Sequence, residues 1–291
     1  MSLEEVAAMM DNPLGNLWIL YMQNEMARMR GDPSDGAQWS NTFSAQPILP
    51  VPLTENWNIV TRPIVPLITA PEFELDAPAF GDCPGNCGSP PSGMPGSVGS
   101  SRETAWGDIS GWSMLSPSQP SVLDGGAKFV WGLGGVARFP TATKDRFGSE
   151  KYTFGPAALA LRQPSPDGRW TFGLLQQHYI WSFGGNPKRE RVKSSQLQYI
   201  WWYKLPTKTP ISIGATPIAE VNWQADSRDK WSIPLGIGAS TTFFWGKMPV
   251  RLGAEFSWFV VSPDNYGKKF FFKLYLAPVI PRLIKKPIFG E

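Results

Sequence analysis

Residues 230–261 read KWSIPLGIGASTTFFWGKMPVRLGAEFSWFVV. The WGK at 245–247 divides this stretch into two runs, and each alternates with the period of two that belongs to a β-strand. In 230–244 the apolar phase is Trp231, Ile233, Leu235, Ile237, Ala239, Thr241, Phe243. Its partner phase is Lys230, Ser232, Pro234, Gly236, Gly238, Ser240, Thr242. In 249–261, Val250, Leu252, Ala254, Phe256 and Trp258 alternate with Arg251, Gly253, Glu255 and Ser257. The polar phase is small and mostly uncharged, whereas a water-facing sheet is coated with Lys and Glu. A bulky apolar face beside a small hydrophilic one predicts a wall whose outside meets hydrocarbon and whose inside lines an enclosed space. The same pattern extends to 209–224, where Ile211, Ile213 and Val221 oppose Ser212, Glu220 and Asn222. In 126–140, Phe129, Trp131 and Leu133 oppose Lys128, Gly132 and Arg138.

Composition agrees. The 291 residues carry 29 Gly and 29 Pro. A helical bundle does not tolerate that load, since each such residue costs roughly 1 to 3 kcal/mol in a helix interior. Aromatic residues reach 13%, with 14 Trp, and rings favour strands and membrane interfaces. A net charge of +3 excludes an extensive nucleic-acid surface. No apolar run approaches the roughly 18 residues of a membrane-crossing helix. One His and two Cys are too few for a His/Cys metal centre, and no cofactor is expected.

Across the chain the pattern predicts twelve strands: 14–28, 38–51, 56–68, 105–116, 126–140, 151–162, 168–183, 194–205, 209–224, 230–244, 249–261 and 268–280. Alternation is imperfect in 14–28, 105–116, 151–162 and 168–183, where bulges or shifted boundaries are expected. The fold class is therefore all-β, an antiparallel up-and-down transmembrane β-barrel of about twelve strands. Residues 1–12 form a short N-terminal helix, 13–281 the barrel and 282–291 a tail. With both termini periplasmic, the long connections 69–104 and 184–193 fall outside, and the short turns 52–55, 163–167 and 206–208 fall inside. An even strand count closes the barrel with no edge left to lipid. These features place the chain in the outer membrane of a Gram-negative bacterium, with a signal segment already removed. Helix 2–10 either plugs the lumen through Leu3, Val6, Ala7 and Met10 or forms a loose terminal turn.

Several stretches carry a family likeness: NPLGN (12–16), QPILPVPLTENWNIVTRPIVPL (46–67), AWGDI (105–109), FPTAT (139–143), FGPAALAL (154–161), GRWTFGLLQQHYIWSFGG (168–185) and WSIPLGIGAS (231–240). In this order and spacing the chain resembles the bacterial family labelled "MetA-pathway of phenol degradation", sometimes mislabelled neuromedin U. The resemblance implies an outer-membrane barrel linked to passage of aromatic or other apolar compounds. Two features depart from the family: the long loop 70–104 and the tail RLIKKPIFGE (282–291), which runs past the usual aromatic C-terminus.

By phase, the lumen candidates are Lys128, Arg138, Gln196, Gln198, Glu220 and Asn222 in the first part of the barrel. Gln224, Arg251, Glu255, Lys269 and Lys273 follow. They read either as a selectivity-setting polar path or as paired charges bracing the wall. A hairpin turning near 264–265 sets Glu255 opposite Lys273. Cys83 and Cys87, in CPGNC, either close a small disulfide loop or stand as free thiols. His178 is the lone candidate base and lacks a recognisable Ser motif around it. The basic loop 188–193 is a candidate contact for lipopolysaccharide phosphates, with the bilayer and a small solute as the other partners and nucleic acid excluded. The leading function is a passive outer-membrane channel, not an enzyme. The alternative is an anchoring barrel that holds a protein partner through loop 70–104 or the tail.

Overall fold

The computed structural model describes residues 3–31, 38–74, 97–165 and 167–289. A short helix α1 (Leu3–Met10) precedes twelve antiparallel barrel strands. They are β1 (Trp18–Arg30), β2 (Trp39–Pro52), β3 (Trp57–Glu74), β4 (Ser97–Trp106 and Ile109–Pro117), β5 (Lys128–Phe139) and β6 (Tyr152–Gln163). The second half holds β7 (Trp170–Tyr179, continued by Trp181–Phe183), β8 (Ser194–Lys204), β9 (Ile211–Ala215 and Ile218–Asn222), β10 (Trp231–Trp245), β11 (Met248–Val261) and β12 (Gly267–Ile280). Each strand pairs with its sequence neighbours, and β12 returns to β1 from Trp18↔Ile280 to Arg30↔Gly267, which closes the barrel.

The predicted strands 14–28, 105–116 and 168–183 are irregular for separate reasons. β1 starts only at Trp18 and shifts register at Arg28/Met29. β4 is broken at Gly107–Asp108, because Asp108 turns inward and accepts the amides of Thr141, Ala142 and Ser149. β7 breaks at Ile180 before pairing again through Trp181↔Phe154. The segment expected at 151–162 is a regular strand, with Tyr152 facing out and Thr153 in. The hairpin from β10 to β11 is closed by Gly246 at φ 62°, the first turn position, where primed turns require positive φ.

Outward side chains are large and greasy. Leu133, Leu174, Leu235, Ile237, Trp258 and Phe272 all stand about half exposed. In water each would forgo about 1.5 to 3 kcal/mol of burial, a loss that hydrocarbon removes. Rings gather in two girdles. At the end carrying the termini, Trp57 meets Trp131 and Trp170 meets Tyr203. At the opposite end Trp39 meets Phe270, Phe139 meets Tyr152, and Trp223 meets Trp231. Amphipathic rings at both water boundaries are the mark of a membrane-spanning wall.

The wall lapses between β9 and β10. β9 and β10 keep one register, with Gly214↔Gly238 and Glu220↔Ser232 paired, yet the ladder between those pairs is missing. Pro217 and Pro234 sit there and have no N–H to donate. Neighbouring groups satisfy the orphaned backbone. The Tyr199 hydroxyl donates to the Pro234 carbonyl, Gln198 donates to the Thr216 carbonyl, and Glu255 accepts the Thr216 amide.

Candidate functional site: the barrel lumen

α1 lies inside the end of the barrel that carries the termini. Val6, Ala7 and Met10 are buried, and Val6, Met10 and Leu14 join a core made by inward residues such as Ile19, Val130 and Met114. Gly132 sits directly under Leu14, where an added Cβ would come within 2.7 Å of it, so the glycine makes room for the chain entering the lumen. Leu3 is half-buried. Arg251 fastens the helix: its guanidinium donates to the Ala7 carbonyl at 2.8 Å and pairs with Asp11 at 2.7 Å.

Beyond the helix the lumen holds a cavity of about 250 Å³, lined by both polar and apolar side chains. Gln196, Gln198, Glu220, Arg251, Glu255 and Lys273 all line it. Glu255 and Lys273 face each other in register, 2.8 Å apart, and their side chains are 1% and 7% exposed. Lys273 also donates to the Thr216 hydroxyl at 3.0 Å, while Glu255 accepts the Thr216 amide at 2.9 Å. This trio therefore braces the wall at its lapse, which is the structural role allowed for the pair.

The remaining candidates lie elsewhere. Lys128 is exposed at the end of β5, and Gln224 is exposed past the end of β9, where Asn222 caps its amide. Arg138 is buried, its guanidinium 4.5 Å from the centre of the Tyr179 ring. Lys269 is exposed, and Lys268 takes the inward position instead. The register shift opposite Arg28/Met29 reverses the phase there. Lys268 pairs with Glu25 within the cavity. Cys83 and Cys87 lie outside the described residues.

Asp11, Glu25, Arg62 and Lys268 were not marked by the alternation. The signal for Glu25 was present: Tyr21, Gln23 and Glu25 share one phase of β1. Arg62 had a different signal, a single cation within the apolar run of 56–68. Two inward aromatic residues, Tyr21 and Tyr275, stack with ring centres 5.2 Å apart. Arg62 lies 5.1 Å over Tyr21, and Lys273 lies 5.9 Å from Tyr275.

The barrel is similar to a solved outer membrane channel. That structure, from Pseudomonas putida F1, matches with a TM-score of 0.57 and 13% identity, covering 91% of this chain and 94% of the other. A FadL homologue of Pseudomonas aeruginosa matches at a TM-score of 0.42 and 10% identity, over 94% of this chain and 93% of that one. No family model matches the sequence, and no curated protein matches it. The first likeness establishes the barrel architecture over nearly the whole length.

His178 stands on the outer face, not in the lumen. Its Nδ1 is 2.7 Å from the Ser195 hydroxyl, its cross-strand partner. Ser195 is buried and also accepts the indole N–H of Trp223 at 2.9 Å. Among the described residues no carboxylate bonds to His178, so the pair lacks the third member that orients a hydrolytic triad.

Proposed function

We propose that this chain is an outer-membrane channel for passive passage of small, largely apolar solutes. The carrying observation is the inverted wall. Its outside is a greasy belt between two aromatic girdles, and its inside encloses a cavity with mixed lining. Twelve strands fall between eight-stranded barrels filled by side chains and sixteen-stranded aqueous porins. A cavity whose exposed wall is more apolar than polar, yet carries many side-chain donors and acceptors, suits a small organic molecule that has both a ring and a polar group. The helix held by Arg251 is the constriction at the periplasmic end. The Pseudomonas putida barrel that this chain resembles, an outer membrane channel, supports the same reading.

Flux through proteoliposomes tests it. Swelling or uptake should be measurable for small neutral aromatics and should rise when residues 1–12 are deleted. A barrel closed to every solute, with and without the helix, would overturn the channel. The anchoring alternative gains no support from the tail: the Ile288 and Phe289 amides bond to Pro52 and Leu53 of the β2–β3 turn.

A further inference from the structure

The lumen cations differ in their partners. Arg251, Lys268 and Lys273 each hold a carboxylate: Asp11, Glu25 and Glu255 respectively. Arg62 holds none. Its Nη2 donates to the Gln46 side-chain oxygen at 2.5 Å, its face rests on Tyr21, and its Nε is buried without a partner. A guanidinium has five donors and is always charged, so one amide oxygen and one ring leave it short of an anion. Beside it lies a second unused group. Ser110 is 2% exposed, lines the same cavity, and its hydroxyl has no hydrogen-bond partner. Trp112 stands directly across the strand pair from Arg62, and Ile64 directly across from Ser110. The two unspent polar groups are thus set among Trp112, Ile64 and Tyr21, all on the cavity wall.

We infer that Arg62 and Ser110 form a binding site for the carboxylate of a small arylcarboxylic acid, whose ring lies against Trp112 and Ile64. This rests on the channel reading and names its substrate class. A planar guanidinium matches a carboxylate through paired hydrogen bonds, and the Ser110 hydroxyl supplies a further donor. The cavity of about 250 Å³ lies just below the roughly 300 Å³ at which drug-sized sites begin, which restricts the occupant to about one ring. Arg251, Lys268 and Lys273 are each neutralised by a carboxylate, so of these four cavity cations Arg62 is the one an incoming anion can pair with.

The experiment is calorimetric titration of the full-length, detergent-folded barrel with benzoate, benzamide and acetate at pH 7. Benzoate is expected to bind at least tenfold more tightly than either control, since benzamide lacks the charge and acetate the ring. Arg62→Gln should erase the benzoate-over-benzamide gap, by weakening benzoate far more than benzamide. Ser110→Ala, a milder change, should narrow the gap two- to fivefold, and it serves if the Arg62 variant does not fold. Equal affinity for benzoate and benzamide, equal affinity for benzoate and acetate, or a gap that survives both substitutions overturns the site. Flux of benzamide in proteoliposomes separates the two ideas. Flux without selective benzoate binding leaves the channel and removes the site; binding without any flux does the reverse.

Discussion

Replacing Lys273 by Met isolates the energetics of the brace at the wall's lapse. The substitution keeps volume and removes the cation 2.8 Å from Glu255, whose side chain is 1% exposed. Glu255 then keeps only the Thr216 amide and hydroxyl as donors. An uncompensated charge at such a site costs about 3 to 5 kcal/mol, whereas replacing both partners by neutral groups of similar volume is close to neutral. The companion change is Glu255→Gln, because its side-chain oxygen still accepts the Thr216 amide. The expected result for K273M is a loss of about 3 to 5 kcal/mol in denaturant unfolding from lipid vesicles. The E255Q/K273M double variant is expected within about 1 kcal/mol of the parent, which makes the coupling between the two sites large and favourable. A K273M barrel within about 1 kcal/mol of the parent would show that the pair is screened by lumen water. A double variant as weak as the sum of its singles would show that the charges act independently.

Arg251→Met removes both the ion pair to Asp11 and the donor to Ala7; charged hydrogen bonds of this kind carry roughly 1.5 to 3 kcal/mol each. Bilayer conductance should therefore rise at least severalfold as the helix leaves the lumen, and unchanged conductance would show that α1 is held by packing alone. Tyr199→Phe strands the Pro234 carbonyl in the lipid-facing wall and should cost about 1 to 3 kcal/mol in the same unfolding assay, against no change if water reaches the lapse. The outer loops are joined through Glu150: burial pushes its carboxyl up, but donors from Asn186 and Arg189 outweigh that and hold it below the ordinary carboxylate range. The folded value is the lower one, so this latch contributes above about pH 4.3, the unfolded carboxyl's value, and is lost as pH falls through the depressed value. Amide exchange in 184–193 should accelerate between pH 6 and pH 3 beyond the intrinsic pH effect, and Glu150→Gln should abolish that step.

The strand count was legible because each strand needs only its own alternation to be recognised. Twelve runs of bulky-out, small-in residues imply twelve strands wherever the boundaries fall. The facing of Glu255 and Lys273 was legible for the same reason, since the pairing from Val250↔Pro278 to Trp258↔Phe270 runs without a break about a turn centred near residue 264. Arg62 was hidden because β3 is apolar in both phases: Thr61, Pro63 and Val65 point out, while Val60, Arg62 and Ile64 point in. Asp11 precedes the first strand, so no sheet period could assign it to the lumen.

Lys268 and Lys269 show most directly where a period of two fails. Counting back from Lys273 and Phe271, strict alternation sends Lys269 inward and Lys268 into the bilayer. The structure does the opposite, because Lys269 is an extra residue in β12, between Phe270 opposite Arg28 and Lys268 opposite Met29. The bulge decides which ammonium meets Glu25. Glu25 faces the cavity across from Lys273, and its carboxylate pairs with the Lys268 ammonium that the shifted register turns inward. Strict alternation would instead set Lys268 against the lipid-facing ring of Phe270, where an ammonium is costly. A bulge thus serves here as the device that converts a sequence-adjacent lysine pair into one lumen partner and one surface charge. It follows that a register argument in such a barrel has to be settled by buried charges as well as by greasy phases.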